Sequence, residues 1–327
     1  MRKILFFVKE ITFLKQNASK WEGYETMLEK KAQNKPAKVA DMFIELTDDY
    51  SYAKTNYEGS KTAKYLNSLT ARVHQLVYRN KKENSRRIFL FWKSEVPTLF
   101  GKYHHLLLLS FLIFSGGAIL GAISQLTDDS FARLMLSDDY VNETIERIKR
   151  GDPLGIYGEM PNWFMYFYIT TNNIYVSFYI FAMGALFSLG NTWLLLKEGI
   201  RLGAFFGMFY QYNVFDKALK VVWIHGSLEI SAIIIAGCAG YILGNSFMFP
   251  GTFKRTESFK RGAKDGIKVL IGLIPVFMCA GFLESFVTRY TNMPLWASLS
   301  IIIGSMGFIF WYFILLPFLL KRKNNAG

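Results

Sequence analysis

Three ionisable side chains interrupt apolar stretches of this 327-residue chain. His225 and Glu229 are four residues apart, so a helix would put them on one face. Glu284 stands within Gly281-Phe282-Leu283-Glu284-Ser285. Asn172 and Asn173 open another apolar run, Ser231 follows Glu229 closely, and Glu198 and Arg201 flank Gly199. An imidazole with two carboxylates has three chemical uses. It can ligate zinc or a harder cation, relay protons through a membrane, or lock helices together through satisfied hydrogen bonds. The metal reading lacks a nearby second histidine and the HExxH spacing, so no metal and no cofactor is expected. The relay and the hydrogen-bonded network stay open, the network needing nothing beyond the residues themselves.

Other chemistry is absent from the pattern. There is no Ser/His/Asp nucleophile arrangement, no P-loop and no dinucleotide fingerprint. Catalytic residues are therefore not expected, and the chain does not read as an enzyme. Cys238 and Cys279 lie in apolar runs without CxxC or Cys/His metal spacing, which makes them small buried hydrophobes. The basic run Arg79, Lys81, Lys82, Arg86 and Arg87 could touch nucleic acid, but it closely precedes an apolar span. An anchor on the inner membrane face, with anionic lipid as partner, is the better reading, and no nucleic-acid partner is expected.

The elements that must position these groups are membrane helices. The chain is 51% hydrophobic and 17% aromatic, with mean hydropathy +0.18 and net charge +13. Residues 1–103 are charged and mixed, and long apolar runs follow His104. The pattern predicts an all-α, polytopic helical membrane protein: a helical cytoplasmic region at 1–103, a transmembrane domain at 104–320 and a cytoplasmic tail at 321–327. A span needs about 20 mostly apolar residues. Residues 104–123, 174–196, 221–243, 267–287 and 295–320 qualify, and 199–214 is a short span or half-helix. Together they give about six crossings.

Loop charges orient them. Residues 125–161 carry eight acidic groups, among them Asp128, Asp138 and Glu146, against Arg133, Arg147, Lys149 and Arg150, so this loop belongs outside. Lys254, Arg255, Lys260, Arg261, Lys264 and Lys268 belong inside, as do Lys321-Arg322-Lys323 and the basic N-terminal region. Both termini are then cytoplasmic. Residues 1–10 lack the long apolar core and cleavage site of a signal peptide. Within the outer loop, residues 128–150 read as one short amphipathic helix, either a docking site or a cap on the bundle. Near the start, Ile4, Leu5, Phe6, Val8, Ile11, Phe13 and Leu14 alternate with lysines, as in a helix on the inner leaflet or one packed on its neighbours. Leu66, Leu69, Val73 and Leu76 have helical spacing.

Small residues recur every fourth position: Gly117 and Gly121; Gly199, Gly203 and Gly207; Ala236, Gly240 and Gly244. With Gly226 and Gly237 they predict close helix packing, within one subunit or across a homodimer.

Several of these residues carry a resemblance. Trp223-Ile224-His225-Gly226-Ser227-Leu228-Glu229, followed by Ala232, Ala236, Gly237, Gly240 and Gly244, closely resembles the signature of the stage II sporulation protein M family. Ile224 stands where that family often has Pro. Thr171-Asn172-Asn173-Ile174, followed by Gly184, Gly190 and Thr192, is similar to its Asn-Asn-led span, and Gly281, Glu284 and Thr288 fit its Ala-x-x-Glu-x-x-x-Thr segment. Glu198-Gly199 replaces the family's usual Asn-Gly. The resemblance covers roughly residues 21–317, weakest before His104. It implies a multi-pass protein of a prokaryotic cytoplasmic (inner) membrane. The sporulating member works in engulfment, in a complex with peptidoglycan-degrading proteins, while most relatives belong to organisms that never sporulate. The function expected is a non-enzymatic scaffold or assembly factor for an envelope-associated complex. Its partners would be membrane lipids, envelope or membrane proteins, and a second copy of the chain. The alternative is a transporter or channel-like protein for an ion or lipid, using the buried His/Glu groups.

Overall fold

The computed structural model describes residues 8–29, 36–79, 86–152, 154–155, 161–290 and 293–325, and among these it is helical with no strand. The chain forms two compact units, Met1–Arg87 and Ile88–Gly327.

The first unit holds α1 (Glu10–Glu29), α2 (Pro36–Asn56) and α3 (Lys61–Arg79). Pro36 opens α2 where a missing N–H costs nothing. Leu66, Leu69 and Val73 of α3 bury one stripe against Met42, Leu46 and Ala53 of α2 and Phe13 and Trp21 of α1. Trp21 donates its indole N–H to Asp49 at 2.8 Å, so the buried ring keeps its polar atom satisfied. Phe13 therefore packs on its neighbours, while Ile11 is exposed; Ile4, Leu5 and Phe6 lie outside the described residues.

The second unit begins with α4 (Arg86–Leu90), a π-helical turn at Phe91–Glu95, and α5 (Val96–Thr127). α6 (Phe131–Leu136) and α7 (Asp138–Lys149) follow. Then come α8 (Asn162–Met183), α9 (Leu189–Gln211), α10 (Phe215–Met248) and α11 (Arg255–Phe282) with a π turn at Leu283–Val287. α12 (Leu295–Phe310), a π turn at Trp311–Leu315 and α13 (Leu316–Asn325) end the chain. Among the described residues, four helices are long and apolar enough to cross a membrane: Arg87–Thr127, Phe215–Met248, Arg255–Val287 and Leu295–Arg322. At 22 and 23 residues, α8 and α9 have the length of a span but are not among those four.

Three sequence expectations change. The apolar run 174–196 is not one span: residues 184–188 turn the chain, with Phe187 and Ser188 at φ 53° and 63°. No Pro or charge marks this turn; Gly184 does, because a Cβ there would lie 2.2 Å from the Gly240 carbonyl oxygen. The stretch 199–214 is no half-helix, since most of it completes α9. The outer helix expected over 128–150 is two helices, broken at Ser137 (φ 89°), whose hydroxyl accepts from the Tyr140 N–H. In addition α5 runs straight through residue 104, bending at Tyr103.

Prolines explain two of the three π turns. In the first, Val96 N–H bonds the Phe91 carbonyl, and the next bond in that ladder would need an N–H from Pro97. The Trp92 carbonyl is thereby orphaned, and the Tyr312 hydroxyl donates to it. The turn that contains Tyr312 itself precedes Pro317.

Candidate functional site

The third π turn has no proline and carries Glu284. Such bulges recur at functional sites because they re-aim side chains. Here Glu284, and Thr288 just beyond the turn, both reach His225 on α10. His225 Nε2 lies 3.9 Å from Glu284 Oε1, and its Nδ1 lies 3.0 Å from Thr288 Oγ1. Thr288 also donates its hydroxyl to the Leu283 carbonyl at 3.1 Å, which makes the hydroxyl an acceptor toward the ring. With the hydroxyl committed to that carbonyl, the ring would donate from Nδ1 and turn Nε2 toward Glu284 as an acceptor. Glu229, one turn along α10, completes the group: one donor atom each from His225, Glu229 and Glu284 lies within 4.8 Å of the others.

Neighbouring helices close the group. Asn173 of α8 is buried and its side chain lies beside Glu229. Gly281 lets α8 approach, since a Cβ there would meet Thr170 Oγ1 at 2.3 Å. Ser227 and Ser285, both fully buried, have hydroxyls without a hydrogen-bond partner, as does the Asn173 amide nitrogen. The sequence pairs Asn172 with Asn173, but Asn172, about 100° further round α8, is exposed and does not join the group. Ser231 turns back to the Ser227 carbonyl at 2.7 Å, and Arg201 pairs with Glu198 at 3.4 Å. Thr288 has no role in the sequence reasoning about chemistry; its four-residue spacing from Glu284 is the signal that could have found it.

The glycines divide as sharply. A Cβ at Gly121 would lie 2.1 Å from the Ile200 carbonyl oxygen, and one at Gly203 would lie 2.0 Å from that of Ala118. Gly117 and Gly199 make the reciprocal approaches, and Gly207 meets Gln125, so α5 and α9 touch backbone to backbone. Gly237, Gly240 and Gly244 face Leu195, Asn191 and Ser188, and Asn191 donates to the Gly237 carbonyl at 2.9 Å. Gly226 is different. A Cβ there would meet only Ile230 and Val222 of its own helix, at 3.4 and 3.6 Å, so it is not a contact between helices. Where α5 ends and α9 ends, Gln125 and Gln211 clamp the same helix pair, with Gln125 donating to Gln211 Oε1 at 2.7 Å. An apolar groove of about 1440 Å³ runs between α5, α10 and α12, lined by Phe111, Trp223, Ile234 and Ile309, and the His/Glu group is not part of its lining.

Comparison with known families agrees with this geometry. The family model described as Stage II sporulation protein M matches residues 110–289, and a model of a domain of unknown function matches residues 11–79. The family match thus begins within α5, and the first unit belongs to a different model, which corrects the expected extension back to residue 21. No curated protein and no solved structure matches the chain. His225, Glu229, Glu284 and Thr288 all fall within the matched residues.

Proposed function

This chain belongs to the stage II sporulation protein M family, and on that premise we propose that it is a non-enzymatic scaffold of a prokaryotic cytoplasmic membrane, holding an envelope-associated complex in place. It crosses the membrane about six times, through α5, α8, α9, α10, α11 and the α12–α13 helix, with both termini inside. The acidic segment between α5 and α8 and the basic segment between α10 and α11 support that orientation. The observation that carries the scaffold reading is the packing. Backbone-to-backbone glycine contacts bind α5 to α9, and side-chain hydrogen bonds tie α9 to α10, which makes a rigid bundle rather than one built to rock. Self-association is part of the reading. α8 turns Thr171, Asn172 and Tyr175 outward, and an amide facing lipid is costly unless a second helix takes it.

Affinity purification from native membranes tests the scaffold. A reproducible envelope protein should co-purify with the full chain. A chain that comes down alone after mild detergent and after in-cell crosslinking would contradict it. The second reading, transport of an ion, rests on one observation: three ionisable side chains meet inside the helix bundle.

A further inference from the structure

Carboxylates largely withdrawn from water, as Glu229 and Glu284 are at intermediate exposure, need a compensating charge, from a partner side chain, a proton or a metal ion. Glu229 and Glu284 lie near one another on α10 and the π turn, and among the described residues neither is ion-paired with a lysine or arginine. The group that does reach them is His225, 4% exposed, whose Nε2 lies 3.9 Å from Glu284 Oε1. From this geometry we infer that His225 Nε2, Glu229 and Glu284 bind one divalent transition-metal ion, of the class of Zn²⁺.

The donor set fits that class. One imidazole and two carboxylates form a mixed nitrogen–oxygen site, as zinc and its first-row neighbours prefer, and three protein ligands leave a fourth position open. A metal 2.0–2.2 Å from each donor brings the donors to about 3.4 Å apart, so the present spread of up to 4.8 Å must contract by about 1.4 Å. Rotation of two glutamate side chains supplies such a movement without shifting a helix. The outer shell is also in place. A ligating histidine holds its other nitrogen against an oxygen, and Thr288 Oγ1 stands 3.0 Å from Nδ1. A separate observation points the same way: Asn173 is 6% exposed and its amide acts on the Glu229 carboxylate without the geometry of a full hydrogen bond. A metal drawing on one Glu229 oxygen leaves the other for that amide, as ligating carboxylates are themselves hydrogen-bonded. The lack of HExxH, which argues against zinc in the sequence, is beside the point here, because the third ligand comes from another helix.

The test uses the full-length protein, purified in detergent, stripped with a chelator and titrated with Zn²⁺. Wild type should take up about one ion per chain and melt at a higher temperature as Zn²⁺ is added. Glu284→Gln keeps the shape of the side chain but loses ligand charge; it should bind on the order of 100-fold more weakly and show no Zn²⁺-dependent rise in melting temperature. Equal uptake by wild type and Glu284→Gln would overturn the site. So would stripped wild type that takes up no Zn²⁺ and no Mn²⁺, which would leave protons as the compensating charge. If Glu284→Gln does not fold, Co²⁺ gives the answer on wild type alone: a cobalt spectrum of mixed nitrogen–oxygen coordination supports the site, and that of aqueous Co²⁺ overturns it. The inference does not rest on the scaffold reading. A chain that binds Zn²⁺ and co-purifies with no partner would sink the scaffold and leave the metal site standing.

Discussion

Thr288 Oγ1 sits 3.0 Å from His225 Nδ1, joining the residue after the last π turn of α11 to a buried imidazole on α10. The contact holds the ring in place, so Thr288 is a positioning residue for whatever Nε2 does. Thr288→Val keeps the size and removes the hydroxyl. It should weaken Zn²⁺ binding by on the order of 10–100-fold, the usual effect of losing an outer-shell partner, and Thr288→Ser should restore it. Equal Zn²⁺ affinity in Thr288→Val and wild type, read by titration, would mean the hydroxyl does not position the ring.

Glycine contacts should be sharply position-dependent. At Gly203 even alanine intrudes on the Ala118 carbonyl, so Gly203→Ala should destabilise the purified protein by about 1–3 kcal/mol, the range for overpacking. At Gly226 the added methyl meets only its own helix, and Gly226→Ala should be neutral or better. Thermal unfolding in detergent compares the pair, and similar losses at both positions would show that α5 and α9 do not touch as described.

The Tyr312 hydroxyl donates to the Trp92 carbonyl in place of the N–H that Pro97 lacks. Tyr312→Phe leaves the Trp92 carbonyl unsatisfied and should cost about 1–3 kcal/mol, the penalty for an orphaned buried group. The same substitution at the exposed Tyr290 should cost nothing measurable. Denaturation of the two variants side by side checks this, and an unaffected Tyr312→Phe protein would contradict it.

Topology follows from charge. With Cys238 and Cys279 replaced by alanine, a cysteine placed at Ser137 should react with a membrane-impermeant maleimide in intact cells, and one at Thr256 only after lysis. The reverse pattern would invert the orientation.

Much of this was legible in the sequence, and the failures share a cause. His225 and Glu229 are found by i, i+4 spacing, and Glu284 by being charged in an apolar run. Their meeting is long-range, and only the resemblance to a family hinted at it. Asn172 and Asn173 look alike in sequence, yet successive residues on a helix point about 100° apart, so one is buried and the other exposed. The turn at 184–188 was hidden because a bend between two spans needs no polar residue when its own N–H groups bond carbonyls three or four residues back, as those of Gly184, Ala185, Leu186 and Ser188 do. The π turns at Phe91–Glu95 and Trp311–Leu315 could have been suspected from Pro97 and Pro317. The one that carries Glu284 has no such mark.

The scaffold account makes a direct claim about the His225/Glu229/Glu284 group: it holds the bundle together and does not conduct. Reconstitution of the full chain into sealed liposomes, with proton- and Zn²⁺-sensitive dyes inside, measures this most directly. The account predicts proton and Zn²⁺ fluxes equal to those of protein-free liposomes, for wild type and Glu229→Gln alike. A flux well above that background in wild type, abolished in a folded Glu229→Gln protein, would contradict the scaffold and establish a transporter.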